Sequence, residues 1–450
     1  MRTLILPCET RVREFDAKLL LALAAAARGI PAIVGSKKRI DLDLARYPAG
    51  VYVGKSVTAR SRHNLQLAQR CGHRVALWDE EGLVWASREV YWRTKVDAAT
   101  LAAPELLIAW GEENADAWRL HPDYRATPIA VAGNPRAELL LPAFAGYHAD
   151  EARTLRERHG AFLLINTNFS RVNHLQPRQN RHLKWLREQR PDDPRGGFAA
   201  HKFALFNAFR EMLPELARAL APVPIVLRPH PSEYARTWET LAAGVPNVEV
   251  VRGGSVAAWL AASHGVIHNG CTTAVEAFML GRPALAYMPV RSARYDHPLP
   301  NGLSLQVDDT GALVDAARAC AQDRDAAFAA QADDTRRALM ARNVAGQHGP
   351  PPSALILDAL APLLSNPAPP AGARRRSAAA ALALRRALRP VEACIPGAAN
   401  YAPYLAHMFP DIGVDTVRER AARLGACLGL SRAPGVRRIA RNVFAVAPPD

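Results

Sequence analysis

"VIHNGCTTAVEAFMLGRPALAY", Val266 to Tyr287, decides how the chain is read. A short apolar run ends at His268. Asn269, Gly270 and Cys271 make a turn. Thr272 and Thr273 then open a segment of helical spacing, which closes before a second apolar run. Strand, tight turn, helix and strand in so few residues predict a parallel crossover unit. Backbone N–H groups and hydroxyls at such a helix start form a seat for phosphate. A plain Thr N-cap is the competing reading. Glu276, one turn on, is placed to reach a ribose hydroxyl.

The same alternation extends in both directions. "TLILP", "PAIVG", "GVYVG", "RVALW", "ELLIAWG" and "PIAVAG" precede helical segments in the first third, and "AGNPR" closes that series. "AFLLINT", "VPIVLRP", "NVEVV", "GVIHN" and "RPALAYMP" repeat the pattern. Two series of about equal size predict an α/β protein of two Rossmann-like domains, 1–150 and 151–365, facing each other across a cleft. The stretch 176–197 lacks apolar periodicity and reads as a polar insertion. The Pro-rich stretch 365–377 reads as a linker, and 366–450 as linker plus a small helical appendage. Its segment "GVRRIARNVFAV" is expected to be a helix with a basic and an apolar face, packed on the body or touching anionic lipid.

In such sheets ligands gather at the carboxyl ends of strands, so polar residues there are the candidates. "VPIVLRPHPSE" projects Arg228, His230, Ser232 and Glu233 from a turn stiffened by Pro229 and Pro231. Arg and His there suit an anionic leaving group. "INTNFSRVNH" adds Asn166, Thr167 and Asn168. In the first series, "LPCETRVREF" places Glu9, Thr10, Arg11 and Arg13 after a strand, and "YVGKS" places Lys55 and Ser56. "HRVALWDEEGLVW" ends a buried run in Asp79, Glu80 and Glu81, then Gly82. Carboxylates there suit a base for an acceptor hydroxyl or a nucleophile at a sugar carbon. Balancing a helix dipole is the plainer alternative.

Composition bounds the rest. The chain has 450 residues, is 49% hydrophobic and 22% charged, and carries a formal charge of +15. That charge fits an anionic partner, whether nucleic acid, membrane surface or phosphorylated substrate. Few aromatics interleave with the basic runs, so no nucleic acid is expected. The six cysteines form no Cys-x-x-Cys pair, which argues against a zinc or redox site and for a reducing compartment. A cytoplasmic protein follows, with peripheral contact to the inner membrane allowed.

These motifs resemble a bacterial family of surface carbohydrate biosynthesis proteins. "LPCETRVREFDAKLLLA", "WDEEGLV", "AWGEENADAW", "AGNPR", "INTNFSRVNH", "RPHPSE", "HNGCTTAVEAFMLGRPALAY" and "HMFPDIGVDTVRER" carry the likeness. More widely, "EEG", "HP" and "TT" together resemble the motif set of glycosyltransferases using CMP-activated ulosonic acids, the bacterial sialyltransferases and β-Kdo transferases. The resemblance implies a GT-B-like fold, no metal and no cofactor beyond a nucleotide-sugar donor such as CMP-Kdo. It implies a glycan or lipid-linked glycan acceptor. Carried over, Glu80 and Glu81 with Gly82 supply the catalytic carboxylate. His230 and Pro231, with Thr272 and Thr273, hold the CMP phosphate. The β-Kdo enzymes resemble Glu-Asp-Gly here, whereas this chain has Glu81, so retention or inversion stays open. Arg228, Ser232, Asn269, Gly270, Glu276, Asn166 and Thr167 complete the expected donor side, and Glu9, Arg13 and Lys55 the acceptor or sugar side. Two other readings stand beside this one. One is a CDP-glycerol-type polyol-phosphate transferase, or a UDP-sugar transferase or epimerase. The other is a basic scaffold or nucleic-acid-binding protein with a degenerate transferase fold.

Overall fold

The computed structural model describes residues 2–175, 194–365, 372–398 and 400–449. The expected polar insertion lies almost wholly outside the described residues, as does the start of the Pro-rich linker. The chain divides into two compact units: Met1–Leu83 with Arg88–Tyr147 and Ala341–Asp450, and Val84–Ser87 with His148–Met340. Both are Rossmann-like.

The first unit carries β1 (Thr3–Cys8), β2 (Ala32–Ser36), β3 (Gly50–Gly54), β4 (Arg74–Trp78), β5 (Leu106–Ala109) and β6 (Ile129–Val131), all parallel. Each is an apolar run picked out by the sequence pattern. The second unit carries β7 (Leu163–Asn166), β8 (Ile225–Arg228), β9 (Val248–Val250), β10 (Gly265–His268), β11 (Ala284–Tyr287) and β12 (Leu305–Val307), also parallel. Its strand order is β12-β11-β10-β7-β8-β9. This is the doubly wound dinucleotide-binding order, whose direction of winding reverses between β7 and β10. In the first sheet the order β2-β1-β3-β4-β5-β6 reverses between β1 and β3. Ligands in open α/β sheets bind outside the carboxyl ends of strands at such reversals.

The expectation for 366–450 is corrected. The first unit gathers everything from residue 341 onward, and the last strands, β13 (Gly435–Ala440) and β14 (Val443–Ala447), extend its sheet. "GVRRIARNVFAV" is therefore an antiparallel hairpin and not an amphipathic helix. Its turn places Asn442 in the left-handed region, φ 58°, which Asn tolerates. β14 pairs antiparallel with β2. Gly35 makes that approach possible: its φ is +151°, and a Cβ would lie 2.1 Å from the Asn442 carbonyl oxygen. Phe444 and Val446 enter the core. The helix Asp16–Ala27 is apolar nearly all round, because the sheet covers one side and the helices Pro352–Ser365 and Val414–Cys427 cover the other. Polar ties fix the return. Arg420 meets Asp16 at 2.7 Å, and the buried Glu138 accepts from the Ser353 N–H and hydroxyl at 2.6 and 2.7 Å.

Candidate functional sites

In the second unit, the site assembles where β7 and β10 part. Asn269, after β10, accepts from the Asn168 N–H at 2.9 Å and donates to its carbonyl at 3.3 Å. That reciprocal pair joins two strand-end loops. Asn166 lies buried at the end of β7. The loop after β8 is fastened by Glu233, 3% exposed. Its carboxylate accepts from the Phe169 N–H at 2.7 Å, the Thr167 hydroxyl at 3.0 Å, Trp238 Nε1 at 3.0 Å and the His230 N–H at 3.3 Å. Burial pushes the Glu233 carboxyl up, and these donors work against it. Thr167 is thus tied to Glu233, and its hydroxyl acts through the loop.

His230 is half-buried. Its Nδ1 accepts from the Ser232 N–H at 3.2 Å, so the neutral ring carries its proton on Nε2. Ser232 therefore sets the tautomer. Pro231 stands exposed beside it. Arg228 turns elsewhere: its guanidinium donates to the carbonyls of Gly253 and Gly254 at 2.8 and 3.2 Å and lies 5.5 Å from the Trp259 ring centre. Burial, partly opposed by Glu151 and Glu276, pushes it down to about 10. Arg228 and Glu276 interact electrostatically, which raises the arginine against its burial.

The turn "NGCTT" folds as expected. Gly270 has φ +79°, and a Cβ there would come 2.9 Å from His297 Nδ1. The helix Thr272–Met279 begins at Cys271, whose sulfur takes the Thr273 N–H and whose carbonyl takes the Ala274 N–H at 3.2 Å, so the Thr272 N–H is the one that the helix start offers to a ligand. Thr273 shares a hydrogen bond with the Cys271 sulfur, and Thr272 stands half-exposed at the first helical position. Beneath the turn, His268 accepts from the Gly270 N–H at 3.0 Å through Nδ1. Its Nε2 meets the Ser304 hydroxyl at 2.8 Å. Burial pushes this imidazole down to about 3, so it is a neutral strut.

Sequence reading missed Lys202, on the helix Pro194–Leu220. It is 5% exposed, and its Nζ makes one hydrogen bond among the described residues, to the Asn269 carbonyl at 3.3 Å. Burial, then Arg171, pushes it down to about 8, while Cys271 and Asp296 pull upward. It lines a small pocket with Asn269, Gly270, His297 and Asn301, and the Asn301 Oδ1 there is buried without a partner among the described residues. A lysine within a long amphipathic helix gives no local signal of such a position.

In the first unit, the site lies where β1 and β3 part. Lys18, on the helix after β1, is 2% exposed, and its ammonium reaches Glu14 at 2.9 Å, Glu80 at 2.8 Å and the Pro7 carbonyl at 2.8 Å. Trp78 Nε1 donates to the same Glu80 oxygen at 3.0 Å. Lys55 pairs with the exposed Glu9 and lies 3.5 Å from Glu14. Glu9 and Lys55 thus form the outer layer of one charge network.

The three acids after β4 have three environments. Asp79 is buried and shapes the turn: it accepts from the Tyr91 hydroxyl at 2.9 Å and the Glu81 N–H at 3.2 Å. Gly82 closes the turn, with room for a Cβ only 3.1 Å from Asp79. Glu80 points inward to Lys18. Glu81 points outward with its side chain 51% exposed, paired with Lys95 and 3.7 Å from Arg13. Partial enclosure works upward on the Glu81 carboxyl, but Lys95 and Arg13 prevail and push it down to about 2. Arg13 and Arg136, from "AGNPR", also direct guanidiniums at the Glu80 carbonyl, at 3.5 and 3.4 Å. The structure thus separates a Glu80 buried against Lys18 from an accessible Glu81 held ionised by Lys95 and Arg13.

No protein-family model matches the chain, and no curated protein matches it. Among solved structures it is similar to the wall teichoic acid polymerase TagF, with 13% identity, TM-score 0.43, and 69% of this chain and 72% of that one covered. It is similar to Anabaena HepE in complex with UDP and glucose, with 12% identity, TM-score 0.44, and 80% and 100% covered. A third is the Methanocaldococcus jannaschii UDP-GlcNAc 2-epimerase in complex with UDP-GlcNAc and UDP, with 14% identity, TM-score 0.47, and 80% and 99% covered. Identities of this size say nothing of ligand or reaction.

Proposed function

We propose that the protein is a glycosyltransferase of bacterial surface polysaccharide synthesis, using a nucleotide-activated sugar whose phosphate binds the second unit. His230 Nε2, the Thr272 N–H at the helix start and the Lys202 ammonium are of the types that bind a phosphate: donors and one cation, with no carboxylate bonded to that cation among the described residues. The favoured donor is a CMP-activated ulosonic acid such as CMP-Kdo, on the strength of the "EEG", "HP" and "TT" resemblance. CDP-linked polyols and UDP-sugars are the competitors.

The observation that carries the catalytic reading is the ionised, outward Glu81. A general base works best with a pKa near the operating pH, whereas Glu81 is held far below it. A carboxylate kept anionic and accessible suits a nucleophile that attacks the anomeric carbon, expels CMP and is released by the acceptor hydroxyl, with net retention. Glu80, buried and paired with Lys18, serves as its support.

Calorimetry with CMP, CDP and UDP ranks the donors. Glu81→Gln, incubated with the best donor, should lose turnover by ~10²-fold or more, while staying folded with a melting temperature lowered only by the loss of its half-exposed pairs with Lys95 and Arg13. Wild type trapped with donor and no acceptor should gain the mass of one sugar on the peptide containing Glu81. His230→Ala should lose donor binding while staying folded. Wild-type turnover in Glu81→Gln refutes the catalytic assignment, and absence of nucleotide binding in the wild type refutes the function.

A further inference from the structure

The helix Gly372–Cys394 is built inside out. Arg375, Ala378, Leu382, Arg386 and Arg389 recur at spacings of three and four, so they share one face. That face is turned into the first unit. Ala378 and Leu382 are each 2% exposed, and the arginines donate to backbone carbonyls: Arg375 to Ala45 at 3.3 Å, Arg386 to Leu42 at 2.9 Å, Arg389 to Lys38 at 3.1 Å. Arg386 also pairs with Asp43 at 2.5 Å.

The opposite face is apolar and uncovered among the described residues. Leu384, Leu388 and Val391 are 63%, 52% and 64% exposed, and Ile395, just past the helix end, is 50% exposed. Their spacing of four, three and four places them in one stripe, which Ala380, Ala381 and Ala387 widen. Nine large apolar side chains stand exposed among the described residues, and these four fall within twelve consecutive positions. At 100° per residue, Arg374 and Arg385, with Glu392, border the stripe on one side and Arg376 on the other, all exposed, so the border carries three positive charges against one negative. A contiguous exposed apolar patch with a polar rim marks an interaction surface.

We propose that this face of the helix Gly372–Cys394 lies in the interface of an anionic lipid membrane, its leucine–valine stripe among the acyl chains and its bordering arginines at the phosphates. Charge complementarity selects this occupant. A second copy packed face to face would set arginine rims against each other, whereas an anionic headgroup layer pairs with them. The helix lies on the surface and does not span it: no described helix is long and apolar enough to cross a membrane. Contact of this face with lipid does not depend on which donor the second unit binds.

Flotation of the full chain with vesicles tests it. Wild type should bind vesicles containing one-third phosphatidylglycerol at least tenfold more tightly than pure phosphatidylcholine vesicles, and salt should weaken the binding. Leu384→Glu with Val391→Glu should cut the partition coefficient at least tenfold without changing the melting temperature, since both positions face outward. Arg374→Glu with Arg376→Glu should remove the preference for anionic lipid. A fluorophore on Cys394, the one cysteine of the exposed class, should shift to the blue with vesicles in a Cys427→Ser background. Failure of wild type to float, or equal flotation of the Leu384→Glu, Val391→Glu variant, overturns the proposal. So does a lipid-free dimer that this variant dissociates, which would assign the face to a second copy.

Discussion

Replacing Lys18 by methionine tests the charge network beneath the acids of the first unit. Methionine roughly preserves the volume, so the packing around Trp78 survives and the cation alone is lost. Glu14 and Glu80, each 3% exposed, then share a dry site without the ammonium that met both within 2.9 Å. Breaking a buried ion pair by removing one partner costs about 3–5 kcal/mol. Lys55, 3.5 Å from Glu14, keeps the expected loss toward the lower figure. The pH dependence should invert. In the wild type, burial pushes Glu14 up, but Lys18 and Lys55 outweigh it and hold the carboxyl well below the usual range. The network's stability is therefore fully present above the unfolded pKa of ~4.3 and lost as pH falls below it. Without Lys18, the burial that is the largest influence on Glu14 should push its carboxyl above the unfolded value, and the variant should regain stability as pH drops from 7 to 5. Hydrogen exchange in β1 and β4 across a denaturant series measures this within the first unit. A loss at pH 7 below about 1 kcal/mol, the net worth of an ordinary hydrogen bond, would refute the reasoning. So would an equal deficit at both pH values.

Phe444→Ala should cost about 3–5 kcal/mol, and deleting 435–447 should yield insoluble chain, since it uncovers β2; a truncated protein with wild-type melting would show the hairpin to be dispensable. Glu233→Gln turns an amide toward donors that need an acceptor, each unsatisfied one costing about 1–3 kcal/mol; melting should fall and nucleotide affinity with it, and unaltered affinity would detach the His230 loop from Glu233. Lys202→Met should stabilise the empty protein at neutral pH by about 3 kcal/mol, from ~1.4 kcal/mol per unit of a pKa lowered from 10.5 to about 8. Because a base with a lowered folded pKa destabilises while protonated, wild-type stability should rise as pH climbs through 8 toward 10, and the variant should lack that rise in thermal melts.

The sequence by itself determined the elements and their ends. β1 to β11 fall on short apolar runs bounded by turn residues, and the turns "RPHPSE" and "NGCTT" stand at strand ends as read. Period and turn chemistry are local properties, so a local reading captures them. Strand order is not local. An apolar run shows that a strand is buried without naming its neighbours, so only the fold reveals that the winding reverses between β7 and β10, and between β1 and β3. The three strand-end acids were legible as a group, but their separation was not: Glu80 is paired with Lys18 from a helix far earlier in the chain, and Glu81 is left to solvent. Lys202 was hidden because only its place beneath Asn269 distinguishes it from any helical lysine. The end of the chain misled because "GVRRIARNVFAV" fits a helical face and a hairpin equally. The free edge of β2, opened to close approach by Gly35, decided for the hairpin, and a pairing partner of that kind exists only in the folded chain.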